Sequence, residues 1–94
     1  MKKCYIAGAV TGTNDFKERF DAAEYKVIRM DMIPINPVTL PHKHNKEWKS
    51  YMKECISALM DCDCIFLLEG WEKSKGANIE LEIAASLQYP VYHQ

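Results

Sequence analysis

The chain has 94 residues, 48% of them apolar and 27% charged, with a formal net charge of -1. This is a globular composition rather than a disordered or disulfide-dense one, and the length suits one domain, 1–94, near the small end of what buries its own core. A charge this close to zero, with no basic run, offers no field to hold a nucleic-acid polymer. No segment reaches membrane-spanning length or reads as a signal-peptide core, so a cytoplasmic protein is expected. Its four cysteines, Cys4, Cys55, Cys62 and Cys64, are then buried reduced thiols. Their spacing builds no metal set, and the default for His42 and His44 is a solvated loop pair rather than a zinc site shared with Cys55.

In chain order, residues 3–7 read as a first strand, residues 8–12 as a glycine-bounded turn, and Thr13, Asn14 and Asp15 as candidate helix caps. Phe16, Phe20, Ala23, Val27 and Met30 recur at helical spacing and mark one buried stripe. A second strand is expected over residues 32–36, where Pro34 argues for an edge position or an irregularity. A loop from 37 to 45 follows, with Asn45 able to cap the next helix, whose buried face is Trp48, Met52, Cys55, Ile56 and Leu59, with Tyr51 beside it. Residues 64–68 are unbroken apolar sequence, as in a parallel strand covered on both faces. A helix after Gly76 is stopped by Tyr89-Pro90, and Val91, Tyr92 and His93 make a short last strand.

This alternation predicts an α/β fold, a small three-layer Rossmann-like (flavodoxin-like) domain with a parallel sheet of about four strands. Ligands of such sheets sit beyond the carboxyl ends of the strands, which gathers residues 8–12, 37–45 and 70–76 at one rim. The helix after Gly76 starts at that rim and carries the most unusual side chain. At about 100° per residue, Gly76, Ala77, Ile83, Ala84 and Leu87 all project within roughly 60° of Glu80. Glu80 therefore stands on the face that should be packed, while Glu82 points to water. A carboxylate there must be paired, hydrogen-bonded, protonated or open to a cavity. It is either a cleft carboxylate or a partly exposed member of a capping pattern.

Other rim residues leave two readings each. Gly8-x-x-x-Gly12 lacks the spacing of the dinucleotide and Walker A motifs, yet its backbone N–H groups can approach a phosphate or sugar. Ser74 either caps the helix or contacts a ligand. Trp71 either stacks a flat ring or covers the sheet edge. Tyr5 points inward as core or up to the pocket, and Asp63 caps its loop or holds a cleft residue. One carboxylate among glycines and aromatics suits transfer or hydrolysis at the anomeric carbon of a sugar, where an oxocarbenium-like state needs a nearby negative charge.

These residues carry a resemblance. Tyr5-Ile-Ala-Gly8-x-x-x-Gly12, Asp63 before the apolar strand, and Gly70-Trp71-x-x-Ser74-x-Gly76-Ala77-x-x-Glu80-x-x-x-Ala84 resemble the nucleoside 2-deoxyribosyltransferase-like superfamily, above all a branch of small bacterial and phage proteins. The likeness spans nearly the whole chain. It implies an enzyme of the N-glycosidic bond of a (deoxy)nucleoside or nucleotide, with Glu80 as nucleophile, Tyr5 near the sugar and Ser74 near a 5′-phosphate. Gly8, Gly12, Asp63, Trp71 and Gly76 would complete the substrate rim. No cofactor or metal is required, and the partners implied are the small-molecule substrate and further copies of the chain in a homo-oligomer. The pattern departs in three places. Relatives place an Asp inside the preceding helix where this chain has Cys55. The phosphate-contacting Ser and Arg of the monophosphate hydrolases fall at Ala9 and Thr11, and Glu82 replaces a Gly. A non-catalytic nucleotide-binding module and a structural subunit are the alternatives.

Overall fold

Residues 1–10, 12–40 and 47–94 are described in the computed structural model. Strand β1 (Lys3–Ala7) leads to helix α1 (Phe16–Arg29) and strand β2 (Ile33–Ile35). A short 3-10 turn (Pro37–Thr39) comes before helix α2 (Trp48–Met60) and strand β3 (Cys64–Leu67). A second 3-10 turn (Trp71–Lys73), helix α3 (Lys75–Ser86) and strand β4 (Val91–His93) complete the order. The four strands form one parallel sheet in the order β2-β1-β3-β4, so the α/β architecture expected from the alternation is present.

Strand alternation distributes the core to two faces. Cys4 and Ile6 of β1, with Cys64, Phe66 and Leu68 in and after β3, meet Phe20, Ala23 and Val27 of α1. Tyr5, Ala7, Ile65 and Leu67 point the other way, against Cys55 and Leu59 of α2 and Ala77 and Ala84 of α3. The helices bury residues spaced three and four apart, as an amphipathic helix on a sheet must. Pro34 lies in β2, an edge strand, where its missing N–H does least damage to the ladder.

Three side chains assigned to buried stripes are exposed: Met30, Trp48 and Leu87, at 38%, 46% and 42%. Each sits at a helix end, where periodicity still assigns a face but no neighbouring layer covers it. The expected Asn45 cap and the histidine pair at 42 and 44 lie outside the described residues. Among the described residues, no helix is long and apolar enough to cross a membrane.

The topology decides where a crevice forms. From β1 the chain crosses to β2 on one side, then returns past β1 to β3 on the other. Connections leaving in opposite directions open a gap above the carboxyl ends of β1 and β3. Arg19 of α1 ties the two loops there, donating from Nη2 to the Ala9 carbonyl at 3.0 Å and from Nη1 to the Glu69 carbonyl at 3.3 Å.

Candidate active site

A cavity of about 660 Å³ opens at this carboxyl edge. Residues following β1 (Gly8, Ala9, Val10) form one side, Trp48, Tyr51 and Met52 from α2 another, and residues 73–77 with Glu80 the third. Two glycines let the walls close up. A Cβ on Gly8 would meet the Leu68 side chain at 2.7 Å, so only glycine lets the ends of β1 and β3 lie this close. A Cβ on Gly76 would come 3.0 Å from the Met52 sulfur, at the α2–α3 contact.

Glu80 lies on the buried stripe of α3 between Ala77 and Ala84 and is 5% exposed. Its Oε2 accepts a hydrogen bond of 2.6 Å from the Tyr5 hydroxyl, whose ring is fully buried in the sheet. That length is characteristic of an O–H donor meeting a charged oxygen. Burial holds the Glu80 carboxyl up at about 7, against an ordinary 4.5, and the Tyr5 hydrogen bond pulls it the other way. Desolvation, followed by the charge of Glu80, drives the Tyr5 hydroxyl well above its ordinary value, so it stays a donor. Cys55, 1% exposed, shares one buried cluster with Tyr5, and Tyr51 packs against that cluster. Burial pushes its thiol up to about 11, against the opposing pull of the Tyr5 hydroxyl. The cluster thus contains one group able to carry charge near neutral pH, and that group is Glu80.

At the mouth, Lys73 and Lys75 flank Ser74 where α3 begins. The Ser74 hydroxyl accepts from the Ala77 N–H at 3.1 Å, so the residue caps the helix and lines the cavity at once. The Lys75 ammonium stands 4.9 Å from the centre of the Trp48 indole. Among the described residues, no group of three or more His, Cys, Asp or Glu side chains is arranged to hold a metal.

Of the residues singled out in the sequence, Tyr5, Gly8, Ser74, Gly76 and Glu80 come together around the cavity. Three do not line it. Asp63 lies at the amino end of β3, where its Oδ2 accepts from the Lys3 N–H at 2.9 Å, across the sheet from the crevice. Gly12 is exposed in the loop after β1, at φ 83°, and Trp71 packs half-buried against the α2–α3 core. The aromatic wall is instead Trp48 with Tyr51. Sequence reasoning placed both on the inner side of α2 but not at a site. The two lysines were legible as a cationic pair bracketing a helix cap, a pattern compatible with anions.

A family model described as "Domain of unknown function (DUF4406)" matches residues 2–93. The chain belongs to the DUF4406 family. No protein with a curated description matches it. Among solved structures, this DUF4406 chain is similar to a 2-desoxiribosyltransferase from Leishmania mexicana, with a TM-score of 0.73 and 20% identity over 99% of its own length. It spans 63% of that enzyme's chain. At this identity the likeness is one of fold, and the DUF4406 chain shares the architecture of that enzyme's matching part.

Proposed function

We propose that the protein cleaves or transfers at the N-glycosidic bond of a (deoxy)nucleoside or nucleotide, with Glu80 as nucleophile. The observation that carries this reading is a buried carboxylate, engaged by Tyr5 at 2.6 Å, in the lining of an open cavity. The fold shared with an enzyme named for deoxyribosyl transfer supports it. With Oε2 held by Tyr5, Oε1 attacks C1′ of the sugar. The C1′–O ester bond forms as the C1′–N bond breaks, the bonding pair leaves with the base, and the base takes a proton from solvent. Water or a second base then attacks C1′ and returns the carboxylate. Positive charge developing on the sugar is met by Glu80 in a desolvated site, where a charge acts more strongly than in water. Because the attacking form is ionised, turnover rises as the pH passes about 7.

Lys73, Lys75 and the start of α3 favour an anionic substituent at the mouth, so a nucleotide suits the cavity as well as a nucleoside. Trp48 and Tyr51 give the base an aromatic wall. One observation favours a second reading, that of a nucleotide-binding module without efficient catalysis. Glycosidic cleavage commonly uses two carboxylates, and Glu80 is the single one among the described lining residues.

The test is release of free base from a panel of deoxynucleosides and their monophosphates, followed by chromatography. Turnover that disappears in Glu80→Ala and Glu80→Gln supports the enzyme. Saturable binding without product selects the binding module. Turnover unchanged by either substitution removes Glu80 from the chemistry.

A further inference from the structure

The mouth of the cavity holds a contact that the glycosidic reading does not use. Trp48 opens α2 and Lys75 opens α3, so the two helices bring their first residues to one rim. The Lys75 ammonium stands 4.9 Å from the centre of the Trp48 indole, inside the range of about 6 Å over which a cation is drawn to a ring face. The first turn of α3 contains no acidic residue to share the ammonium, and a cation there faces the positive end of the helix. The indole is 46% exposed, so water screens the attraction and the contact is weak enough to exchange.

We propose that Trp48 sets specificity between charged and uncharged substrates by competing for Lys75. Its indole holds the ammonium at the rim, and an anionic group such as a phosphomonoester must draw that ammonium off the ring. The assignment rests on the reading of this mouth as the seat of an anionic substituent. Donor hydrogens directed at the ring are withheld from a phosphate, so an anion that engages Lys75 first breaks the cation–π contact. Two full charges attract at this range more strongly than a cation and a ring quadrupole, so the anion prevails once inside. An uncharged nucleoside offers Lys75 no such exchange and leaves the contact in place. Trp48 thereby lowers the apparent affinity for the anion, because only the fraction of molecules with Lys75 released is ready to bind it. At the usual strength of an exposed cation–π pair, the reduction is about two- to fivefold.

The experiment titrates the wild-type protein with inorganic phosphate and follows the ε-methylene protons of Lys75 by NMR, beside a sodium chloride titration of equal ionic strength. Before phosphate is added, the indole ring current should hold these protons upfield of an ordinary lysine. Phosphate should return them downfield, and chloride should not. Trp48→Leu should bind phosphate about two- to fivefold more tightly than the wild type, although it removes a residue from the cavity wall. That gain should persist in a Lys73→Met background and vanish in Lys75→Met. Trp48, Lys73 and Lys75 are all exposed, so these variants keep the core intact, and the wild-type shift needs no variant at all. A Lys75 signal unmoved by phosphate, one moved equally by chloride, or a Trp48→Leu chain that binds phosphate no tighter would overturn the assignment. None of these measurements needs turnover. A Lys75 response as expected, with no base released from any substrate, sinks the glycosidic reading and leaves the role of Trp48 standing. Base release that depends on Glu80, with a silent Lys75, does the reverse.

Discussion

Replacing the buried carboxylate by its amide should make the protein more stable, but only above the acid range. Glu80 is 5% exposed and titrates at about 7 in the fold, against 4.5 for an ordinary glutamate. Between those values the folded protein holds a proton that the unfolded chain has released, so stability falls as the pH rises from 4.5 towards about 7. At about 1.36 kcal/mol per pH unit, the gap leaves about 3 kcal/mol missing once Glu80 is ionised. Glu80→Gln keeps the acceptor for Tyr5 and nearly the same volume, and it mimics the protonated acid. Its extra amide donor, if left without a partner, takes back about 1 kcal/mol. The net gain near pH 8.5 is therefore about 2 kcal/mol, or roughly 8–16 °C in Tm for a domain of this size. Urea unfolding followed through the fluorescence of Trp48 and Trp71, repeated from about pH 4.5 to 8.5, reads the effect directly. A difference between variant and wild type that stays flat across this range would refute the reasoning. It would mean that Glu80 is not a desolvated charge at all.

Three further outcomes follow from the geometry. Gly8→Ala drives a methyl into the Leu68 side chain at 2.7 Å and should cost about 1–3 kcal/mol, with Leu68→Ala in the same chain recovering part of it; an unchanged urea midpoint would contradict the close approach. Under the glycosidic reading, Lys73→Ala with Lys75→Ala should raise KM for a deoxynucleoside monophosphate about tenfold, equivalent to about 1.4 kcal/mol, and leave the unphosphorylated nucleoside unaffected. Equal losses for both substrates would show that the lysines do not read phosphate. Asp63→Asn, at the far end of β3, should lower stability by no more than about 1 kcal/mol and leave base release unaltered; a loss of turnover would place Asp63 closer to the chemistry than its contact with Lys3 allows.

The legible part of the site is the part that periodicity controls. A helix of 3.6 residues per turn puts Glu80 in line with Ala77 and Ala84 whatever packs against it, so its burial follows from spacing. Tyr5 was ambiguous between core and pocket because it is both: its ring fills the sheet face and its hydroxyl reaches Glu80, 75 positions away in the chain. The place of Trp48 in the cavity wall was hidden for a different reason. Trp48 belongs by spacing to the inner stripe of α2, yet it stands in the first turn, where it borders the cavity and meets Lys75.

Local sequence determined the order of elements, the two-faced core, and the presence of an acid on the inner face of α3, because hydrophobic period and backbone preference act over a few residues. Tertiary structure alone decided which groups surround that acid. The Tyr5 bond, the Cys55 and Tyr51 contacts, the exclusion of Asp63 and the exchange of Trp71 for Trp48 all depend on strand order and helix placement. Those bring residues from β1, α2 and α3 to one point, and no spacing within a single element encodes such a meeting.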